Sequence, residues 1–480
     1  MSLSSTLTTA QSIFNNTATQ TSVVSKNIAN DGNTNYNRRA AVLSTTNAGA
    51  MIVTTERAQN TALLRQTIVS TSQSSGQQTV LAGLEELKGI LGGNDYETAP
   101  SSYMATLSES IQAYASKPSD ASLAASVVSG AQDVVTSLND ASASVQAIRL
   151  RADQQITSTV ADLNDLLARF QVANDTVKNA TATGGDPNDA LDQRETLLKQ
   201  ISEIVGVSAS TRDNNDMVLY TSDGTTLFET IPRAVTFAPT NGYDASTTGN
   251  SVYIDGVVVP AGQGANTTAK GSLAGLLQLR DEIAPVFQSQ LDEIARGLIT
   301  VFAESDPSGN LADQAGLFIG TDSDIPASAT IVTGLAAAIK VNPAASANPS
   351  LLRDGGINGT DYVVNSGGSS YSALLQTYVT GLQSDQDFDP AANIDPGTSV
   401  MSFATNSVGW LEQLRSSASS ADETKTAALS RTTEAYSNST GVSLDEELSL
   451  LLDVEQSYKA AAKLLSTVDE MLQSLLDIAS

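Results

Sequence analysis

Asp385, Asp387 and Asp389 alternate along the chain as the first ligands of a calcium loop do. Pro390 stands soon after them, where such a loop needs glycine for its sharp turn, and its twelfth position is Pro396 instead of a glutamate. The triplet therefore reads as a solvated loop. Gly262 and Gly264 are too isolated to mark a phosphate-cradling loop. Carboxylate pairs are plentiful, so counting alone leaves a glycosidase-like acidic active site open. Other chemistry is excluded outright, because the 480 residues include no histidine and no cysteine. There can be no Ser–His–Asp or Cys–His nucleophile. The common zinc, haem and iron–sulfur sites lack their ligands, and disulfides are impossible. No cofactor and no metal is expected.

The charge balance narrows the partners. Asp and Glu number 52 against 25 Lys and Arg, a formal charge of -27, and nucleic-acid binding needs the opposite sign. Aromatics are only 5% within a 40% hydrophobic fraction, so the cores must be aliphatic and alanine-rich. The length suits about two to four domains. Met1 to Ala10 carries no Lys or Arg and no continuous apolar run, unlike a cleavable secretory signal. The longest apolar stretch, near 331–339, is too short to span a bilayer, so membrane insertion is not expected. By signals alone the protein would stay in the cytoplasm, unless it leaves by a route that needs no cleaved signal.

The elements that must carry any function are mostly helical. Leu3, Leu7, Ala10, Phe14, Thr17, Thr21, Val24 and Ile28 recur at intervals of four and three, the narrow seam of a coiled coil. Asn30 to Asn33 stops that helix, and two short extended pieces follow within 1–66. Residues 67–205 read as the first part of a helical body, with near-heptad spacing from Val134 to Val177 and a stop at Gly184 to Pro187. At 206–270 the pattern turns to short strands with Asp223-Gly224 and Asp255-Gly256 hairpin signals, a small inserted β domain. Residues 271–440 continue the body, irregular over 305–370, with Trp410 expected as a core anchor. A second seam fills 441–480: Leu444, Leu448, Leu451, Val454, Tyr458, Ala461, Leu465, Val468, Leu472 and Leu475. The fold class is mainly α, with an inserted small β domain, terminal coiled-coil helices and a long helical-bundle body. Each seam exposes apolar surface when alone, so the expected solution pairs the two ends and buries the rest by self-assembly.

Asn27-Ile28-Ala29-Asn30, followed by Tyr36 and Arg38, resembles the N-terminal signature of flagellar axial proteins, the rod, hook and hook-associated group. The runs Leu444 to Glu447, Tyr458 to Lys463 and Asp469 to Leu472 resemble the matching C-terminal signature. Leu191-Asp192-Gln193-Arg194, Gly271 through Asp281 and Leu291 to Ala295 resemble the hook-associated protein 1 family within that group. The family's usual Gly before Tyr36 is Asn35 here, which tolerates a left-handed turn, and its usual Gln after the Arg is Arg39.

The resemblance implies a structural adapter at the hook–filament junction and no enzyme. It implies a helical homo-oligomer with hook protein below and a second junction protein, hook-associated protein 3, above. It also implies type III export without a cleaved signal to an extracellular flagellar site, with a cytoplasmic export chaperone on the C-terminal helix. Leu3, Leu7, Ala10, Phe14, Val24 and Ile28 would form one assembly seam. Leu444, Leu448, Leu451, Tyr458, Leu465, Val468, Leu472 and Leu475 would form the other and bind the chaperone. Asn27, Asn30, Tyr36 and Arg38 would close a turn and dock neighbouring subunits. A rod or hook protein, a surface adhesin and an acidic-site enzyme are the alternatives.

Overall fold

The structure, a computed structural model, describes residues 3–45 and 51–479. It is mainly α with small antiparallel sheets. In chain order, α1 (Leu3–Ala29) leads to a hairpin of β1 (Arg39–Thr45) and β2 (Met51–Arg57). Helices α2 (Thr61–Ile90), α3 (Pro100–Ser116), α4 (Ala121–Thr183) and α5 (Asn188–Ile204) follow. The strands β3 (Val207–Thr211), β4 (Met217–Thr221) and β5 (Thr226–Phe228) make one sheet. Another contains β6 (Val235–Thr236), β7 (Tyr253–Ile254) and β8 (Val257–Val258). Then come α6 (Ser272–Gln278), a π-helical segment at Leu279–Ile283, and α7 (Ala284–Val301). The less regular stretch holds β9 (Phe318–Ile319), α8 (Leu335–Ala338), β10 (Lys340–Val341), α9 (Pro343–Ala347) and α10 (Leu351–Asp354). The chain ends with α11 (Ala373–Gln383), β11 (Asp385–Asp387), β12 (Gly397–Ser399), α12 (Val400–Thr440) and α13 (Leu444–Ala479).

Local chemistry places the breaks. Pro100 opens α3, where a missing N–H costs nothing. Asp120 caps α4 by accepting from the Ser122 amide at 2.9 Å. Gly184 ends α4 with φ +72°, a conformation that favours glycine. Asp255 and Gly256 both take positive φ, as the two-residue turn between β7 and β8 demands. Asp385 and Asp387 lie in β11, and Asp389 caps the next turn by accepting from the Ala391 amide.

The chain divides into two units. One comprises Met1–Ser72, Leu163–Ala234 and Thr426–Ser480; the other comprises Gln73–Asp162 and Val235–Lys425. The stretch 206–270 contributes one three-stranded sheet to each, β3–β5 to the first and β6–β8 to the second. In the first unit, Leu163, Leu167, Phe170 and Val177 of α4, Leu197 and Ile201 of α5, and Leu219 and Phe228 of the sheet are all essentially buried, with Phe170 edge to face on Phe228 at 5.2 Å. Arg194, also buried, donates to Asn174 Oδ1 and to the Asn215 carbonyl, which ties α5 to α4 and to the β3–β4 connection.

The second unit has a core of aliphatic and aromatic side chains drawn from α2, α3, α4, α7 and α12, including Leu84, Leu107, Leu138, Leu291 and Phe403. Asp153 of α4 and Arg280 of the π segment are buried together at 2.7 Å, and Arg280 also donates to the Asn250 carbonyl. Tyr243 donates to Asp153 as well, so this pair holds the 237–250 loop. Trp410 is only partly buried; Phe388 stacked on Phe403 takes the anchoring place expected of it.

Glycine permits a close backbone approach in this unit. A Cβ on Gly275 would stand 2.9 Å from the Gly76 carbonyl, and one on Gly76 would stand 2.7 Å from the Ala269 carbonyl. Gly76→Ala should therefore lower stability by about 1 kcal/mol or more, because overpacking outweighs the roughly 1 kcal/mol of helix propensity gained. Gly409 in α12 is exposed, with nothing within 4 Å of where its Cβ would be. Gly409→Ala should raise stability by about 0.8–1 kcal/mol. Thermal melts with shifts of opposite sign check both.

Candidate assembly site

The first unit brings the N-terminal signature residues together. Asn27, fully buried at the end of α1, donates from Nδ2 to the Arg39 carbonyl at 2.7 Å and accepts the Arg39 amide at 3.1 Å. Its side chain thus supplies both halves of a strand pairing to the first residue of β1. Tyr36, also buried, donates to the same Asn27 Oδ1 at 2.7 Å. Asn30 donates back to the Lys26 carbonyl and accepts from Asn33, closing the turn after α1. The positive φ in this turn belongs to Gly32, while Asn35 stays outside the left-handed region and donates its amide to Asn33. Ala29 is exposed and Ile28 half-buried.

A charged cluster joins this turn to the rest of the unit. Arg39 and Arg57 face each other across the β1–β2 ladder, a like-charge pairing that is unfavourable by itself. Asp192 of α5 resolves it by accepting from Arg39 at 2.9 Å on one oxygen and from Arg57 at 2.6 Å on the other. Asp189 and Glu195, one helical turn to either side on the same face, pair with Arg39 and Arg57 respectively. The two arginine side chains are only 3% and 5% exposed. Arg39 lies over the Tyr36 ring at 4.8 Å. Burial pulls the Glu195 carboxyl up, but Arg57 and Lys199, with hydrogen bonds from Arg57 and Tyr436, outweigh it and hold the group below its usual range. Burial, reinforced by the Glu195 charge, keeps Tyr436 protonated and donating.

The same turn reaches the C-terminal helices. Asn37 donates to Tyr436 of α12 at 2.8 Å. The Arg38 amide donates to the Thr440 carbonyl, and its Nε to Glu447 of α13 at 2.6 Å. Glu447 is fully buried, and its second oxygen has no partner among the described residues.

From this base α1 and α13 run antiparallel. Phe14 meets Tyr458 edge to face at 5.0 Å, and Ala10 and Val24 are buried. Leu7 is exposed, and the side chains of Leu3 and Leu475 lie outside the described residues. On α13 the buried line is Glu447, Val454, Ala461 and Val468, spaced seven apart. Leu444, Leu448, Tyr458, Leu465 and Leu472 flank it and are 39% to 54% exposed, with Leu451 half-buried. The hairpin therefore uses one narrow line of α13 and leaves a leucine stripe open. The acids of α5 and the buried role of Glu447 were not foreseen; the spacing of Asp189, Asp192 and Glu195 was the available signal.

Comparison with known proteins bears on this arrangement. The family model for the helical domain of flagellar hook-associated protein FlgK matches residues 84–318. A second, for the C-terminal part of the flagellar basal body rod FlgEFG proteins, matches residues 433–478. Flagellar hook-associated protein 1 of Salmonella typhimurium is 24% identical over 65% of this chain, and the match spans 58% of that relative's length. The protein of the same name from Bacillus subtilis is 22% identical over 95% of this chain and 94% of its own. The solved flagellar hook junction protein FlgK of Burkholderia pseudomallei shares the fold, with a TM-score of 0.59 at 14% identity over 77% of this chain and 99% of that one.

Two substitutions test the cluster. Asp192→Ala leaves two buried guanidinium groups short of a partner and should cost about 3–5 kcal/mol, read as a lower melting midpoint and faster amide exchange in β1 and β2. Because the Glu195 carboxyl is held below the ordinary 4.5, its contribution is present above that pH and is lost as pH falls through the depressed value. Glu195→Gln should be less stable than the parent at neutral pH, and the gap should close on acidification in melts across pH.

Proposed function

The chain belongs to the flagellar hook-associated protein 1 family, and from that premise we propose that it is a structural adapter joining the flagellar hook to the filament. The observation that carries the proposal is the closed base of the terminal hairpin. Arg38 bonds Glu447 and the Thr440 carbonyl, so α1 and α13 run from that base as one antiparallel pair. Such a pair, with a leucine stripe facing outward, is a part built for lateral packing against copies of itself.

The mechanism is order on assembly. The chain is exported without a cleaved signal through the flagellar type III route, and its lack of cysteine suits passage unfolded. An export chaperone covers the α13 stripe before export. Outside the cell the stripe is buried against neighbouring subunits in a helical ring, between hook protein below and hook-associated protein 3 above. The role is structural, not catalytic. A rod or hook protein is the second reading, favoured by the rod-type match at 433–478.

Leu465→Asp and Leu472→Asp alter exposed positions, so the purified variants should keep the parent's melting midpoint. In cells lacking the native protein, neither variant should restore filaments, while electron microscopy should still show hooks. Filaments of normal length on either variant would refute the seam. Loss of the hook itself in the deletion strain would favour the second reading.

A further inference from the structure

A polar stripe lies on α4, in the other unit. Asp133, Ser137, Asp140 and Ser144 recur at intervals of four, three and four, so they share one helical face. With Tyr103 of α3 and Thr98 just before it, they line a slot of about 150 Å³. Ser137 is only 8% exposed, and its Oγ is buried with no hydrogen-bond partner among the described residues. Its neighbour Thr136 bonds back to the Gln132 carbonyl at 2.8 Å, the ordinary outlet for a helical hydroxyl, but Ser137 does not. An unmatched buried hydroxyl is unfavourable, and a ligand that pairs with it removes the penalty. Asp133 and Asp140 stand exposed at the rim, and among the described residues no lysine or arginine lines the slot.

We propose that this slot binds a cationic nitrogen group, the ammonium or guanidinium end of an alkyl chain. The carboxylates at either end supply acceptors and charge, and the Ser137 hydroxyl accepts a further N–H in the middle. A metal ion suits it poorly: among the described residues no group of three or more Asp or Glu is placed to hold one. The volume is below the ~300–1,000 Å³ of pockets for drug-sized ligands and fits the tip of one basic chain. The group comes either from a free diamine or from a lysine or arginine of a second copy of this chain. The proposal is independent of the junction role.

Agmatine, which carries both groups, is the probe for the purified full chain by calorimetry. Saturable binding is expected, weakening as salt rises. Asp133→Asn combined with Asp140→Asn should weaken it roughly tenfold or more. Ser137→Ala should weaken it without lowering the melting midpoint, an outcome that a packing role for Ser137 does not give. Sedimentation over a concentration series separates the sources. Self-association that agmatine disrupts and the double variant lacks assigns the group to a second copy; agmatine binding with no such effect assigns it to a free amine. Absence of saturable binding, or equal binding by the double variant, overturns the proposal.

Discussion

Asp192 sits between two arginines that the β1–β2 ladder sets face to face, and the whole terminal unit is organised around that carboxylate. A hairpin with opposed guanidinium groups repels itself. Two oxygens from one side chain on α5 turn the repulsion into a clamp. Position 39 is then fixed, and Asn27 can read its amide and carbonyl. With 39 fixed, 37 and 38 are placed to reach Tyr436, Thr440 and Glu447, some four hundred residues away in the chain. Each bond is ordinary by itself. Their sequence matters, because the closing of α1 on α13 is downstream of a salt bridge that neither helix contains.

The two faces of α13 follow from side-chain size. The line against α1 carries Val454, Ala461 and Val468, small enough for two helix backbones to come close. Leucines in that line would hold the helices further apart and would break the contact between Phe14 and Tyr458. The leucines are therefore displaced to the flank, where they stand partly exposed in the isolated chain. Burial inside the chain and burial between chains are divided between adjacent stripes of one helix.

Much of this was legible in the residues. The α4 positions from Val134 to Val177 announced their burial by spacing, and Gly184 and Asp255-Gly256 announced their breaks. The mainly α class and the terminal helices followed from the same periodicity. Which stripe of α13 turns inward was not legible, because valine, alanine and leucine all satisfy an apolar pattern and only the partner's shape chooses between them. The clamp was hidden for a different reason. Its members sit at 39, 57, 192 and 195, and no periodicity links a strand pair to a helix so far along the chain. Arg39 looked like a departure from its family pattern; in place, it is the residue that Asp192 and Tyr36 hold.

The charge of -27 takes on a sharper meaning beside these contacts. Arg39, Arg57, Arg149, Arg194, Arg280 and Arg296 all have side chains buried in structural pairs or hydrogen bonds, so six of the 25 basic residues contribute little to the solvent-facing surface. The acids are mostly left outside. Copies of such a chain repel one another at distances within a Debye length of ~8 Å at physiological salt. The leucine flank of α13 has to overcome that repulsion, and a short-range apolar contact does so only when the helices are already in register. Repulsion at long range and attraction at short range favour one aligned contact over many loose ones. In that sense the excess of acid selects for ordered association, and keeping the arginines inside strengthens the selection.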